Sequence, residues 1–361
     1  MLNTKLQSYI KQLDTKHLKR TPSLLDSNHL NFSSNDYLNL ANHEQLKLSY
    51  QAGFEKYPAG STGSMLVSGY HETHEALEIA FSDALKVDSA LLFPSGYAAN
   101  LSIMQLLAAL DIHALIDKEV HASIYDGLKL AGGSYTRYKL QPKKSISQNT
   151  LLLTESIFSM SGRTPDFLAL AKQYPLIIDE AHAFGVLGPK GLGRVAAHKL
   201  TSTEVPLRVI PLGKALGASG AIVAGDKDWI TALLQTARPL IYSTAMSPAL
   251  AYGLLHAFKI LQHADTARHT LQQNILCFKQ HIKHSPLNFQ DSDTPIQQLK
   301  LGCPKKALMC ALQLQAKNIN CISMREPTVR RAETGLRIVL NSSHTTDNIQ
   351  YLFESLHQCL T

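Results

Sequence analysis

The chain has 361 residues, 45% of them hydrophobic and 17% charged, with a formal charge of +7 at pH 7. That length suits one large domain plus a smaller one, and the composition is that of an ordinary globular protein, not a disordered or fibrous one. No apolar run approaches the roughly 18 residues of a membrane span, and nothing resembles a nucleic-acid module, so membrane-spanning and nucleic-acid functions are excluded as expectations.

Met1 to Arg20 carries Leu2, Leu6, Ile10 and Leu13 at helical spacing among polar residues. This predicts an amphipathic helix lying on the body or on a partner subunit, and the lack of a continuous apolar core argues against a secretory signal. Asn31 to Leu38 reads as a short strand running into an Asx-type turn. There Asn35 either faces a substrate or helps cap a helix. Tyr57 to Ser64, followed by Val67 to Tyr70, is a Gly-rich loop with the backbone freedom to approach a phosphate.

A helix from Glu72 to Lys86 precedes a strand at Ala90–Phe93, and Pro94 to Asn100 opens the next helix. Strand, small-residue turn and helix N-terminus together expose free backbone N–H groups to an anion. Gly96 and Tyr97 are therefore candidates to hold a phosphate, with a plain turn as the equal alternative. Strands at Leu115–Asp117 and Leu151–Glu155 come next. Each delivers a polar group just beyond its end, His121 and Ser159 respectively. A helix from Pro165 to Tyr174 leads to Leu176-Ile177-Ile178, an apolar run that stops abruptly in Asp179-Glu180-Ala181-His182. Val209 to Gly217 contains Lys214 in a Gly-flanked turn, and Ala221–Ala224 is one more strand.

Alternating strands and helices over residues 90–225 predict an α/β fold, a mostly parallel central sheet with helices on both faces. Helices at 228–237 and 248–262 come after it. Beyond about residue 255 the pattern changes to a helix near 266–283, short strands at 296–301, 319–324 and 336–340, and helices at 305–317 and 347–360. That predicts a smaller C-terminal α+β domain. The expected division is 1–40 for an N-terminal segment, 41–255 for the large domain and 256–361 for the small one. Arg337 alternates with apolar residues on the last strand, and a buried cation needs a partner such as a substrate carboxylate.

In open α/β sheets ligands sit at the carboxyl edge of the strands. An acid, a histidine and a lysine delivered there fit pyridoxal 5'-phosphate chemistry: lysine for the Schiff base, acid for the pyridine nitrogen, a polar group for the ring oxygen. A solvated lysine and a strand-end aspartate capping a helix are the alternative. The five cysteines, Cys277, Cys303, Cys310, Cys321 and Cys359, form no C-x-x-C pair, so no metal site is expected and reduced thiols of a cytoplasmic protein are. Small basic clusters at Lys143-Lys144, Lys305-Lys306 and Arg330-Arg331 read as solvated surface or as attraction for an anionic partner.

Taken in order, Asn35-Asp36-Tyr37-Leu38, Gly60 to Ser64, Leu66 to Tyr70, Ser95 to Asn100, His121-Ala122-Ser123, Phe158-Ser159-Met160, Asp179 to His182 and Leu212-Gly213-Lys214 resemble the α-oxoamine synthase family of fold-type I pyridoxal-phosphate transferases. The resemblance covers nearly the whole length. It implies Lys214 as the Schiff-base lysine, Asp179 on the pyridine nitrogen, His182 and Ser159 on the ring-oxygen side, and Gly96 and Tyr97 holding cofactor through their backbone. It further implies His121 stacked on the ring and reaching substrate. Asn35, Thr328, Arg337 and an N-terminal arginine, matched by Arg20, would contact substrate. The implied reaction is a decarboxylative condensation of L-alanine with a pimeloyl thioester carried by CoA or an acyl carrier protein, by a homodimer whose Gly60–Ser64 loop reaches the neighbour's site. Sister reactions with glycine or other acyl thioesters, and a non-catalytic binding protein, stay open at this point. The chain departs from the family pattern at Pro211, where threonine is usual, and at Asn39, Ser161, Met65 and Glu326.

Overall fold

The computed structural model describes residues 2–15, 18–19, 22, 24, 26–142, 149–326 and 328–360. Its strands are β1 (Leu30–Asn31), β2 (Ser89–Phe93), β3 (His113–Asp117), β4 (Tyr135–Tyr138), β5 (Thr150–Glu155), β6 (Leu176–Asp179), β7 (Leu207–Pro211), β8 (Ala221–Gly225), β9 (Ile296–Lys300), β10 (Ile319–Asn320), β11 (Ile322–Met324) and β12 (Gly335–Val339). Seven of them form the central sheet in the order β2-β8-β7-β6-β5-β3-β4. β5 and β6 are buried at every residue, as a sheet covered on both faces requires. One apolar cluster, which includes Leu92, Ile210 and Phe258, lies against one face, and another, with Ile103, Leu153 and Val209, lies against the other.

The expected, mostly parallel sheet is present, with one antiparallel member. β8 runs antiparallel to both β2 and β7. Only residues 212–220 separate β7 from β8, too few for a crossover, so the two strands form a hairpin with Lys214 in its turn. Gly217 carries that turn at φ +67°, and its N–H donates to Lys214 O at 2.8 Å. A Cβ on Gly217 would lie 2.4 Å from the Ala41 nitrogen, so the segment after β1 packs directly on the lysine turn.

That segment is held from both sides. β1 pairs in parallel with β10, and Phe32 O accepts from the Val339 N–H at 2.8 Å. The small sheet, ordered β11-β12-β9, is antiparallel throughout. The expected strand at 319–324 is broken at Cys321, which lets its first half pair with β1 and its second with β12. A helix over Glu44–Lys56 and the edge strand β4 lie outside the sequence reading. The N-terminal helix forms at Leu2–Thr15, but none of its residues is buried, and Leu2, Leu6 and Tyr9 are exposed. Its apolar stripe is therefore not seated on the body.

Candidate active site

β5, β6 and β7 end side by side, and the residues at and just beyond their carboxyl ends build the site. In the β5–β6 register Glu155 lies opposite Asp179. Both carboxylates are buried, at 2% and 6% exposure. Asp179 Oδ1 accepts from the Ala181 N–H at 2.9 Å and Oδ2 from Asn100 Nδ2 at 3.0 Å. Glu155 Oε1 accepts from the His121 N–H at 2.5 Å. Burial, with the Asp179 charge beside it, pushes the Glu155 carboxyl well above the usual range.

Lys214 comes to the same edge from the hairpin turn. Burial lowers its amine, Asp179 and Glu155 oppose that shift, and Arg337 adds to it. His182, one turn beyond Asp179, is 4% exposed and lies with Nδ1 2.5 Å from the Tyr37 hydroxyl. Burial holds its imidazole well below the ordinary range, and the nearby cations Lys214 and Arg337 reinforce this. His182 is therefore a neutral ring.

Arg337 enters from the small sheet. Its Nε donates to Ser159 O at 2.6 Å and its Nη2 to Asn35 Oδ1 at 2.9 Å. Asn35 Oδ1 also lies 3.3 Å from the Tyr37 hydroxyl. One connected set thus joins Ser159, Arg337, Asn35, Tyr37 and His182, drawn from four separate stretches of chain. Asn35 meets Arg337 and Tyr37 with its side chain and caps no helix. Asp36 does the capping, accepting from the Leu40 and Ala41 N–H groups at 2.9 and 3.0 Å.

Gly96 and Tyr97 begin the helix Gly96–Ala109, capped by Ser95, whose side chain accepts from the Ala98 N–H. A Cβ on Gly96 would lie 2.7 Å from Cγ of Pro211, so only glycine lets the helix N-terminus close on the end of β7. The Tyr97 ring is exposed, and its hydroxyl donates to Asp126 Oδ2 at 2.7 Å. Thr328 is exposed in the turn between β11 and β12. Arg20 and the Lys143-Lys144 pair lie outside the described residues. Among the described residues no group of side chains has a metal-binding arrangement.

Four residues of the site have no role in the sequence reading: Tyr37, Asn100, Ser123 and Glu155. Asn100, Ser123 and Tyr37 stand inside the motifs, and Glu155 ends its strand as Asp179 ends the next. That parallel is the signal the sequence offers for it.

The seven-stranded sheet and this edge define a fold-type I pyridoxal-phosphate transferase. The chain belongs to the aminotransferase class I and II family, whose profile matches residues 27–356. It is 38% identical over 345 residues to an 8-amino-7-oxononanoate synthase from Hydrogenovibrio crunogenus, covering 91% of this chain and 87% of that one. A second 8-amino-7-oxononanoate synthase, from Pseudomonas savastanoi, is 36% identical over 342 residues, covering 91% and 86%. The crystal structure of an 8-amino-7-oxononanoate synthase from Francisella tularensis superposes with a TM-score of 0.81 at 33% identity, covering 92% of this chain and 98% of the other. A Sphingomonas wittichii serine palmitoyltransferase matches at 0.87 and 18% identity, covering 99% and 96%, which speaks for the fold alone. The motif resemblance to α-oxoamine synthases therefore extends to the sequence as a whole.

The residues fit pyridoxal phosphate. A buried carboxylate, a neutral imidazole and an amine lowered by burial converge where a helix N-terminus closes on the sheet, the donor set that cofactor needs.

Proposed function

We infer that this chain condenses L-alanine with a pimeloyl thioester, releasing carbon dioxide and the free thiol carrier and yielding 8-amino-7-oxononanoate, a step of biotin biosynthesis. The observation that carries this reading is the likeness to 8-amino-7-oxononanoate synthases over 91% of the chain. The convergence of Lys214, Asp179, His182 and Arg337 supports it.

When bound, pyridoxal phosphate supplies an electron sink for the bond broken at the amino acid's α-carbon. The chain's own residues do the rest. Lys214, its amine lowered by burial, attaches the cofactor and then moves the α-proton. Asp179, an acceptor held by Asn100 and Ala181, keeps a proton on the pyridine nitrogen. His182 and Ser159 face the ring-oxygen side, and the backbone of Gly96 and Tyr97 receives the phosphate. Arg337, steadied by Asn35, binds the alanine carboxylate. His121 faces the ring and the substrate, and the motif likeness adds Thr328 and Arg20 as substrate contacts.

The active unit is a homodimer in this reading. Leu66, Val67 and Tyr242 expose apolar surface beside the Gly60–Ser64 loop, and the Ala245 N–H donates to Gly63 O at 2.9 Å, tying the two segments into one face. A monomer that is fully active in analytical ultracentrifugation would refute this. Five free cysteines suit the reducing cytoplasm.

The test offers alanine, glycine and serine against pimeloyl, acetyl, succinyl and palmitoyl thioesters of CoA and of an acyl carrier protein, following thiol release. Release confined to alanine with the pimeloyl thioester is expected. Release with another pair would replace the substrate and keep the family. Bound cofactor with no release from any pair would mean a binding protein.

A further inference from the structure

Between the carboxylate of Asp179 and the ring of His121 lies a chain of hydrogen bonds, buried at Asn100 and Ser123. Asn100 Nδ2 donates to Asp179 Oδ2 and to Ser123 Oγ, both at 3.0 Å. Ser123 Oγ lies 2.8 Å from His121 Nδ1, and the Ser123 N–H points at the same nitrogen at 3.3 Å. Asn100 and Ser123 are 3% and 0% exposed, so water does not compete for the two Asn100 bonds, while the His121 ring at the end of the chain is open to the cleft.

The direction of each bond is set by the chemistry. A carboxylate oxygen can only accept, so the Asn100 amide presents its NH2 to Asp179 Oδ2, not its carbonyl. The same NH2 occupies a lone pair of Ser123 Oγ. The Ser123 hydroxyl hydrogen is then left for His121 Nδ1, which also receives the backbone N–H. A nitrogen that accepts twice carries no proton.

We propose that Asn100 and Ser123 are positioning residues of this reaction, a donor relay from Asp179 that holds the His121 imidazole neutral with its proton on Nε2. This rests on the reading of His121 as the residue facing the cofactor ring. His121 then has no lone pair free within the site. It donates from Nε2 to an acceptor such as the substrate carboxylate, and it cannot take the α-proton, which falls to Lys214.

The charges around the ring agree with a neutral imidazole. Partial burial lowers it, Asp179 opposes that shift, Lys214 reinforces it and Asp126 opposes it. His182 is a neutral neighbour, and Glu155 binds the His121 backbone N–H, not the ring. Protonating Nδ1 would also require the Ser123 hydroxyl to turn away while Asn100 still donates to it, an added resistance that the relay alone supplies.

The experiment uses holoprotein labelled with 15N-histidine, with the His121 imidazole assigned by its absence in His121→Asn. Wild type is expected to show Nδ1 unprotonated and Nε2 protonated through neutral pH. Ser123→Ala removes one donor to Nδ1 and is expected to raise the titration midpoint of His121 by roughly 0.5–1 pH unit, the size of one ordinary hydrogen bond. Asn100→Asp turns the donor into an acceptor, captures the Ser123 hydroxyl and shifts the proton to Nδ1. Should Asn100→Asp not fold, Ser123→Ala decides alone. A wild-type ring protonated at Nδ1, or a midpoint unmoved in Ser123→Ala, overturns the relay. Wild-type turnover in His121→Asn would overturn the role of His121 while leaving the relay standing.

Discussion

The hydroxyl of Tyr37 lies 2.5 Å from Nδ1 of His182, although 145 residues separate the two. Both are buried, and burial raises the phenol of Tyr37 as it lowers the imidazole of His182. The phenol therefore keeps its proton and the ring stays neutral; with the hydroxyl hydrogen given to Asn35 Oδ1, the His182 Nδ1–H donates to the hydroxyl oxygen. This bond ties the segment after β1 to the end of β6, and through Asn35 it reaches Arg337.

Tyr37→Phe keeps the ring that fills the core and removes only the hydroxyl. His182 Nδ1 is left buried without a partner, at a cost of about 1–3 kcal/mol. Urea unfolding is expected to show a lower midpoint with an unchanged slope. A midpoint equal to wild type would mean that the bond contributes nothing.

Gly96 is the second structural test. Gly96→Ala places a methyl 2.7 Å from Cγ of Pro211 and forces the helix N-terminus away from β7. Loss of bound pyridoxal phosphate on dialysis is expected to quicken, read from the cofactor's absorbance. Pro211→Ala removes the obstructing ring carbon, so the double variant should retain cofactor better than Gly96→Ala alone. Equal loss in the single and double variants would show that the contact is not what holds the cradle.

Much of this is legible in the chain. Buried parallel strands are continuous apolar runs, so Leu176-Ile177-Ile178 announces β6 and places Asp179 at its end. The direction of β8 depends on the shortness of the Lys214 turn, which the run Ala221–Ala224 does not encode. Asn39 departs from the family's glycine, yet sits at φ +55°, a conformation that asparagine tolerates better than most residues. The Arg337–Asn35 bond joins residues 302 positions apart, and no local periodicity reports such a pair. Motif order singles out Asn35, while only the fold shows what it holds.

His344 gives a pH signature outside the site. It stacks on Phe32 with ring centroids 4.1 Å apart, its Nδ1 accepts from the Asn341 N–H at 3.2 Å, and its Nε2 donates to Asn31 O at 3.2 Å. Burial pushes it down from 6.5 to about 4, opposed by the bond to Asn31. Between these values the unfolded chain binds a proton that the folded one does not, so stability falls as pH falls from 6.5 toward 4 and levels off below. The loss is on the order of 3 kcal/mol. Denaturant midpoints measured across that range should show it, and His344→Gln should flatten the slope. An unflattened slope would assign the effect to other groups.

Arg337→Lys keeps the charge and loses the fork that reaches Ser159 O and Asn35 Oδ1 together. Removing one charge-assisted bond corresponds to roughly a ten- to hundredfold change in binding. The KM for alanine is expected to rise by that factor, with a smaller change in the KM for the thioester. A rise confined to the thioester would move the carboxylate site elsewhere.

Lys214→Ala tests the centre of the site. The amine sits among Asp179, Glu155 and Arg337, in a turn braced by Gly217 and Ala41. Removing a half-buried side chain from a turn whose backbone bonds remain should leave the fold intact. Turnover is expected to fall to background, and borohydride treatment, which fixes pyridoxal phosphate to the wild-type lysine, should leave no covalent label on the variant. A label that persists on Lys214→Ala would place the attachment on another lysine. Undiminished turnover would remove Lys214 from the proton transfer at the α-carbon. Both outcomes are read on one preparation, so the attachment and the proton-moving roles of Lys214 are tested separately.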